Sequence, residues 1–115
     1  MKNVLMGSLM VVALAAFARP ASAQDKGKGA AVYAANGCSM CHSIAGKGNT
    51  KGPLDDVGSK LSATEIRGWI TDPAGSAEKA KADRKPPMAA MQAKFKSMSK
   101  DDLDNLVAYL SSLKK

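Results

Sequence analysis

The chain has 115 residues, two cysteines, one histidine, and a formal charge of +7 from 17 lysines and arginines against 10 acids. That length holds one domain with one small core. The lysines are scattered and only 4 % of residues are aromatic, which argues against a nucleic-acid face built from interleaved basic and aromatic side chains.

The amino end reads MKNVLMGSLMVVALAAFARPASAQDK. A basic Lys2, an apolar run from Val4 to Ala18 and the small triplet Ala21-Ser22-Ala23 have the layout of a secretory signal peptide over 1–23, with residues 24–115 as the mature domain. The run is broken by Gly7 and Ser8 and falls short of the roughly 18 residues expected of a spanning helix, which argues against an uncleaved anchor. No cysteine stands near the cut, which argues against a lipid anchor, and no segment of the mature chain is apolar enough to span a membrane. Cleavage would remove Lys2 and Arg19 and no acid, lowering the charge to +5. Export implies a periplasmic or otherwise extracytoplasmic setting, where two cysteines ordinarily pair.

Three helices are readable in the mature part, with no strand alternation of useful length. The first, about Asp25 to Asn36, ends at Gly37, which suits the left-handed position after a helix. Gly29, Val32 and Tyr33 share one of its faces, and Gly29 is small enough for a close helix crossing. The second, Ser62 to Ile70, opens on a capping box between Ser62 and Glu65 and stops before Pro73, with Ile66, Trp69 and Ile70 on its buried side. The third opens on Ser99 with acids in its first turn and ends at Lys114-Lys115. Leu103, Leu106, Val107, Leu110 and Leu113 form its apolar stripe, and Met98 is placed to staple to Leu103. Long polar loops fill 44–60 and 72–97. With only Tyr33, Trp69, Phe95 and Tyr109 as mature aromatics, the side chains alone make a thin core, and something else must fill the centre.

Both cysteines and the sole histidine fall in one pentad, Cys38-Ser39-Met40-Cys41-His42. A thioredoxin-type redox dithiol would need an adjoining βαβ pattern, which is missing here. Structural zinc wants four ligands, usually as two spaced pairs, and only three soft ligands exist in the chain. The remaining reading of C-x-x-C-H is covalent attachment of a c-type haem. Two cysteines three apart can add to the two vinyl groups along one porphyrin edge, and the next residue then brings an imidazole under the iron. The thioethers also consume both thiols, and the macrocycle supplies the missing apolar volume.

Over nearly its whole mature length the chain resembles the small class I, monohaem c-type cytochromes. The likeness rests on GAAVY at 29–33, CSMCH, Gly52-Pro53, the WITDP segment, a methionine after Pro86-Pro87, and the ending DDLDNLVAYLSSL. It implies an all-α cytochrome c-like fold whose first and last helices cross around one haem c per chain, held through Cys38 and Cys41 with His42 on the iron. It implies that the Pro53 carbonyl accepts the Nδ1 hydrogen of His42 and that Trp69 donates to a haem propionate; a plain turn and plain core burial are the competing readings. It also implies a methionine as sixth ligand. Met88, on the stiff approach made by Pro86-Pro87, is preferred over Met91, and neither carries the family's usual Met-Pro step.

A six-coordinate His/Met iron suits a non-enzymatic, monomeric electron carrier between periplasmic redox partners. Lys79, Lys81, Arg84, Lys85, Lys94, Lys96 and Lys100, set against Asp83 alone, would attract acidic proteins or respiratory complexes, unless they are only a solvated face. The alternatives are a haem enzyme or ligand sensor with an open sixth position, and a haem subunit of a larger respiratory complex.

Overall fold

The computed structural model describes residues 25–115; the proposed signal segment lies outside the described residues. Helix α1 covers Lys26–Ala35, with the Asp25 carboxylate accepting from the N–H groups of Gly27 and Lys28. Asn36 caps its end and Gly37 follows at φ 67°, the left-handed turn expected of that glycine. The last helix, α6, spans Lys100–Ser111, and Ser99 accepts from Asp102 at its start. Lys114 and Lys115 lie beyond it.

These two helices cross more intimately than any other pair, and Gly29 is the reason. A Cβ there would run into the Asn105 carbonyl and the Tyr109 Cβ, so only hydrogen lets the backbones approach. The contact buries Val32 and Tyr33 against Leu106, Val107 and Leu110. Tyr33 meets Tyr109 edge to face, with ring centroids 6.2 Å apart.

Helix α3 covers Ala63–Thr71 and adds Ile66 and Ile70 to the same core. Its capping box is formed as the sequence indicates: Glu65 N–H donates to Ser62 Oγ and Ser62 N–H to the Glu65 carboxylate, both at 3.1 Å. An ion pair of 2.7 Å between Arg67 and Asp104 ties α3 to α6. Met98 and Leu103 both pack against the core.

The two long loops carry more structure than expected. Within 44–60, strands β1 (Ser43–Ile44) and β2 (Lys47–Gly48) form a small antiparallel hairpin, and α2 covers Val57–Lys60. Within 72–97, α4 runs over Pro73–Ala80, a 3-10 turn over Met88–Met91 and α5 over Gln92–Lys96. The sign of α4 is present in Asp72-Pro73, the same pair that ends α3. Asp72 closes one helix and caps the next, accepting from Gly75 N–H, and Pro73 sits at the first helical position, where its missing N–H costs nothing. Six helices and one two-residue ladder make the described part all-α, consistent with a small cytochrome c fold.

Candidate functional site

The pentad begins immediately after the Gly37 turn. Cys38–Met40 form one 3-10 turn, and the Cys38 carbonyl accepts from Cys41 N–H at 3.2 Å and His42 N–H at 2.9 Å. This compact winding brings both sulfurs and the ring to one short stretch of backbone. Cys38, Cys41 and His42 are all half-buried, and Cys38 packs against the core.

The histidine is oriented by backbone. Its Nδ1 lies 3.0 Å from the Gly52 carbonyl, which can only accept, so Nδ1 carries the proton and Nε2 is the nitrogen left with a lone pair. This corrects the expected acceptor, the carbonyl of Pro53. The cause is a parallel bridge: Ser43 N–H donates to the Gly52 carbonyl at 3.1 Å, and Leu54 N–H donates to the Ser43 carbonyl at 2.8 Å. In extended backbone successive carbonyls face opposite ways, so with Gly52 turned toward the ring Pro53 is turned from it. Burial holds His42 below the usual imidazole range; the Gly52 bond opposes that shift and the nearby Arg84 charge adds to it.

The hairpin after His42 keeps this brace in register. Ala45 and Gly46 occupy its two-residue turn at φ 53° and 78°, and the Asp55 carboxylate secures the unusual alanine by accepting its N–H at 2.7 Å. Gly48 approaches the His42 carbonyl so closely that no side chain fits there, a requirement that no local pattern announces.

Pro53 and Trp69 meet across a cleft of about 450 Å³ whose walls also include Val57, Leu61, Lys60 and Lys115. Trp69 is half-buried on this wall and stands outside the buried cluster, so the expectation of core burial holds for Ile66 and Ile70 only. The methionines separate as well. Met88, like Phe95, packs against the core, whereas Met91 is half-buried without joining that packing, and Met40 is 72 % exposed.

Arg84 and Lys94, counted in the sequence among surface charges, reach back to the pentad from the two ends of the methionine segment. The Arg84 guanidinium donates to the Cys41 carbonyl at 2.6 Å and lies against Gly52, where a Cβ would collide with it. The Lys94 ammonium stands over Gly37 and faces Cys38. Neither contact has a sequence signature, because Arg84 and Cys41 are 43 positions apart.

The donor set can be tested against a c-type haem from these side chains. Both cysteines are free, and burial pushes the Cys38 thiol up to about 11, so it stays protonated at neutral pH. Among the described residues no three His, Cys, Asp or Glu side chains form a group able to hold a bare metal ion, the pentad included. Two free thiols three apart and a neighbouring imidazole with Nε2 unprotonated are what haem attachment and ligation ask for, and the residues fit that group.

A protein-family model described as Cytochrome c matches residues 27–114, from the first turn of α1 to past the end of α6. The chain belongs to the cytochrome c family, whose members carry electrons on covalently bound haem c. No curated protein and no solved structure matches it at a significant level.

Proposed function

We propose that this cytochrome is an exported, monomeric one-electron carrier of the periplasm and has no enzymatic activity. Cys38 and Cys41 would hold the haem, with His42 and Met88 as the residues that would ligate its iron. The observation that carries this reading is the fixed tautomer of His42: a backbone carbonyl holds Nδ1–H, so the ring offers Nε2 without competing for a proton.

When bound, haem supplies a ferric/ferrous couple that accepts one electron from a reduced donor and passes it to an oxidised acceptor, with no atom transferred. The protein's part is to keep the ligand set unchanged between the two states. Gly52 fixes the imidazole, and Pro86 and Pro87 stiffen the approach to Met88, with Pro87 extended at φ −72° and ψ 149°. Packing against the core supports Met88 over Met91, since a thioether already held needs little further ordering. Two ligands of this kind leave no position for a substrate, which is why electron transfer is favoured over a haem enzyme or sensor.

Lys79, Lys81, Lys85, Lys94, Lys96 and Lys100 surround the methionine segment and give it a positive field, with Asp83 the sole acid among them. Such a field steers acidic redox proteins or complexes into brief encounters. No helix among the described residues is long and apolar enough to cross a membrane. Export rests on residues 1–23.

The test is spectroscopic. Protein produced with its signal segment in a host that attaches haem should be recovered from the periplasm without residues 1–23. Oxidised, it should show the weak far-red band of sulfur on ferric iron; reduced, it should resist carbon monoxide. Prompt carbon monoxide binding, or no sulfur band, would overturn the carrier reading.

A further inference from the structure

Two arms of the chain must stay in register for iron to keep both ligands. One is the pentad with its brace, Cys41, His42 and Gly52; the other is the methionine segment after Pro87. The methionine segment is weakly anchored by apolar contact. From Lys79 through Pro87 every residue is exposed, and of the segment's own side chains only Met88 and Phe95 reach the core before Met98.

Arg84 lies at the junction of these arms. One guanidinium nitrogen donates to the Cys41 carbonyl at 2.6 Å, a charge-assisted bond across 43 positions of sequence. The other nitrogen packs on Gly52, so closely that the missing side chain of that glycine is what admits it. Gly52 is also the residue whose carbonyl holds His42 Nδ1. A single planar group therefore touches the residue before the histidine and the residue that orients it, while its own backbone lies four positions before Met88. The fork geometry matters, because a lysine ammonium is a single point and cannot occupy both places.

We infer that Arg84 is a positioning residue that clamps the methionine segment onto the histidine brace and keeps a fixed positive charge beside the redox centre. The inference rests on His42 and Met88 being the axial ligands. The clamp delays release of the methionine, and the charge favours the reduced state, which carries one positive charge fewer. It also removes Arg84 from the set of cations available to a docking partner.

The experiment compares wild type, Arg84→Gln and Arg84→Lys as haem-loaded proteins. Three quantities are read: the midpoint potential, the urea concentration at which the far-red sulfur band disappears, and the urea concentration at which helical circular dichroism disappears. Arg84→Gln should lower the redox equilibrium constant about tenfold, about 59 mV for one electron, and should lose its sulfur band at distinctly lower urea than its helices. Arg84→Lys keeps the charge and loses the fork, so its potential should stay near wild type while its band is still lost early.

A merely structural arginine would move band and helices together and leave the potential alone, and that result in Arg84→Gln overturns the inference. Should Arg84→Gln fail to load haem, Arg84→Lys carries the test alone: a band that persists until the helices melt overturns the clamp. A wild-type protein without the sulfur band refutes the ligand assignment instead, so the two failures are told apart.

Discussion

The crossing of α1 with α6 and the methionine segment between α4 and α6 are built on opposite terms. At the crossing, backbone meets backbone over Gly29, and Val32, Leu106 and Val107 are each at least nine-tenths buried. Across 79–100 no residue is fully buried, the helical pieces are short, and long-range polar contacts at Arg84 stand in for packing. A region closed by its own side chains takes its geometry from packing. A segment short of apolar contacts is held at a few points instead.

The contrast is sharpest for substitutions that leave composition nearly unchanged. Gly29→Val drives its Cβ into the Asn105 carbonyl and Tyr109 Cβ, neither of which can retreat without separating the helices. The expected cost is about 3 kcal/mol, the upper end for overpacking, with haem-loaded yield falling accordingly. A normal yield and an unshifted urea midpoint would show that the crossing is looser than the geometry demands.

In the methionine segment the larger effect is on the centre and the smaller on the fold. Met88→Ala should abolish the far-red sulfur band while costing the polypeptide roughly 1–2 kcal/mol, less than a fully buried Met→Ala, because Met88 is only half-buried. Met91→Ala should retain the band. The reverse pattern would transfer the axial role to Met91 and leave Met88 as packing.

The same contrast decides what is legible in the sequence. The stripe from Leu103 to Leu110 and the Ser62 capping box depend on neighbours within one or two helical turns, and each appears where its pattern puts it. The loop over 72–97 hides α4 because Asp72 serves two helices at once, and its stop signal for the first masks its start signal for the second. The acceptor for His42 differs from expectation by one residue, since the register of a single isolated bridge is fixed by tertiary contact and by no alternation in sequence. Arg84 has no local signal at all: a charge in a lysine-rich stretch looks solvated until its partner is known.

Ser62→Ala probes a local feature far from the centre. Losing the hydroxyl that accepts from Glu65 should cost about 1 kcal/mol, lowering the urea midpoint while the sulfur band and the potential stay at wild-type values. A change in potential would mean that α3, through Trp69 on the cleft wall, is coupled to the site more tightly than to the core.

The smallest effect is expected at the carboxyl end, where Asp56 ties the last residues to α2. Its carboxylate accepts the Lys115 backbone N–H at 2.9 Å and is bonded by Ser59, and these donors, Ser59 first, hold it below the ordinary aspartate value of 3.8. A folded-state value below the unfolded one adds stability above the unfolded pKa, and that stability is lost as pH falls through the folded one. Asp56→Asn keeps an acceptor but discards the charge, so it should be slightly less stable than wild type at pH 7, with the gap closing below about pH 3.8 as wild type takes up its proton. Because the group is exposed, salt should shrink the gap as well. A gap that is constant from pH 7 to pH 2, measured by urea midpoints, would show that the charge contributes nothing and that the Gly58 N–H to Leu113 carbonyl bond, 2.7 Å long, holds the chain end by itself.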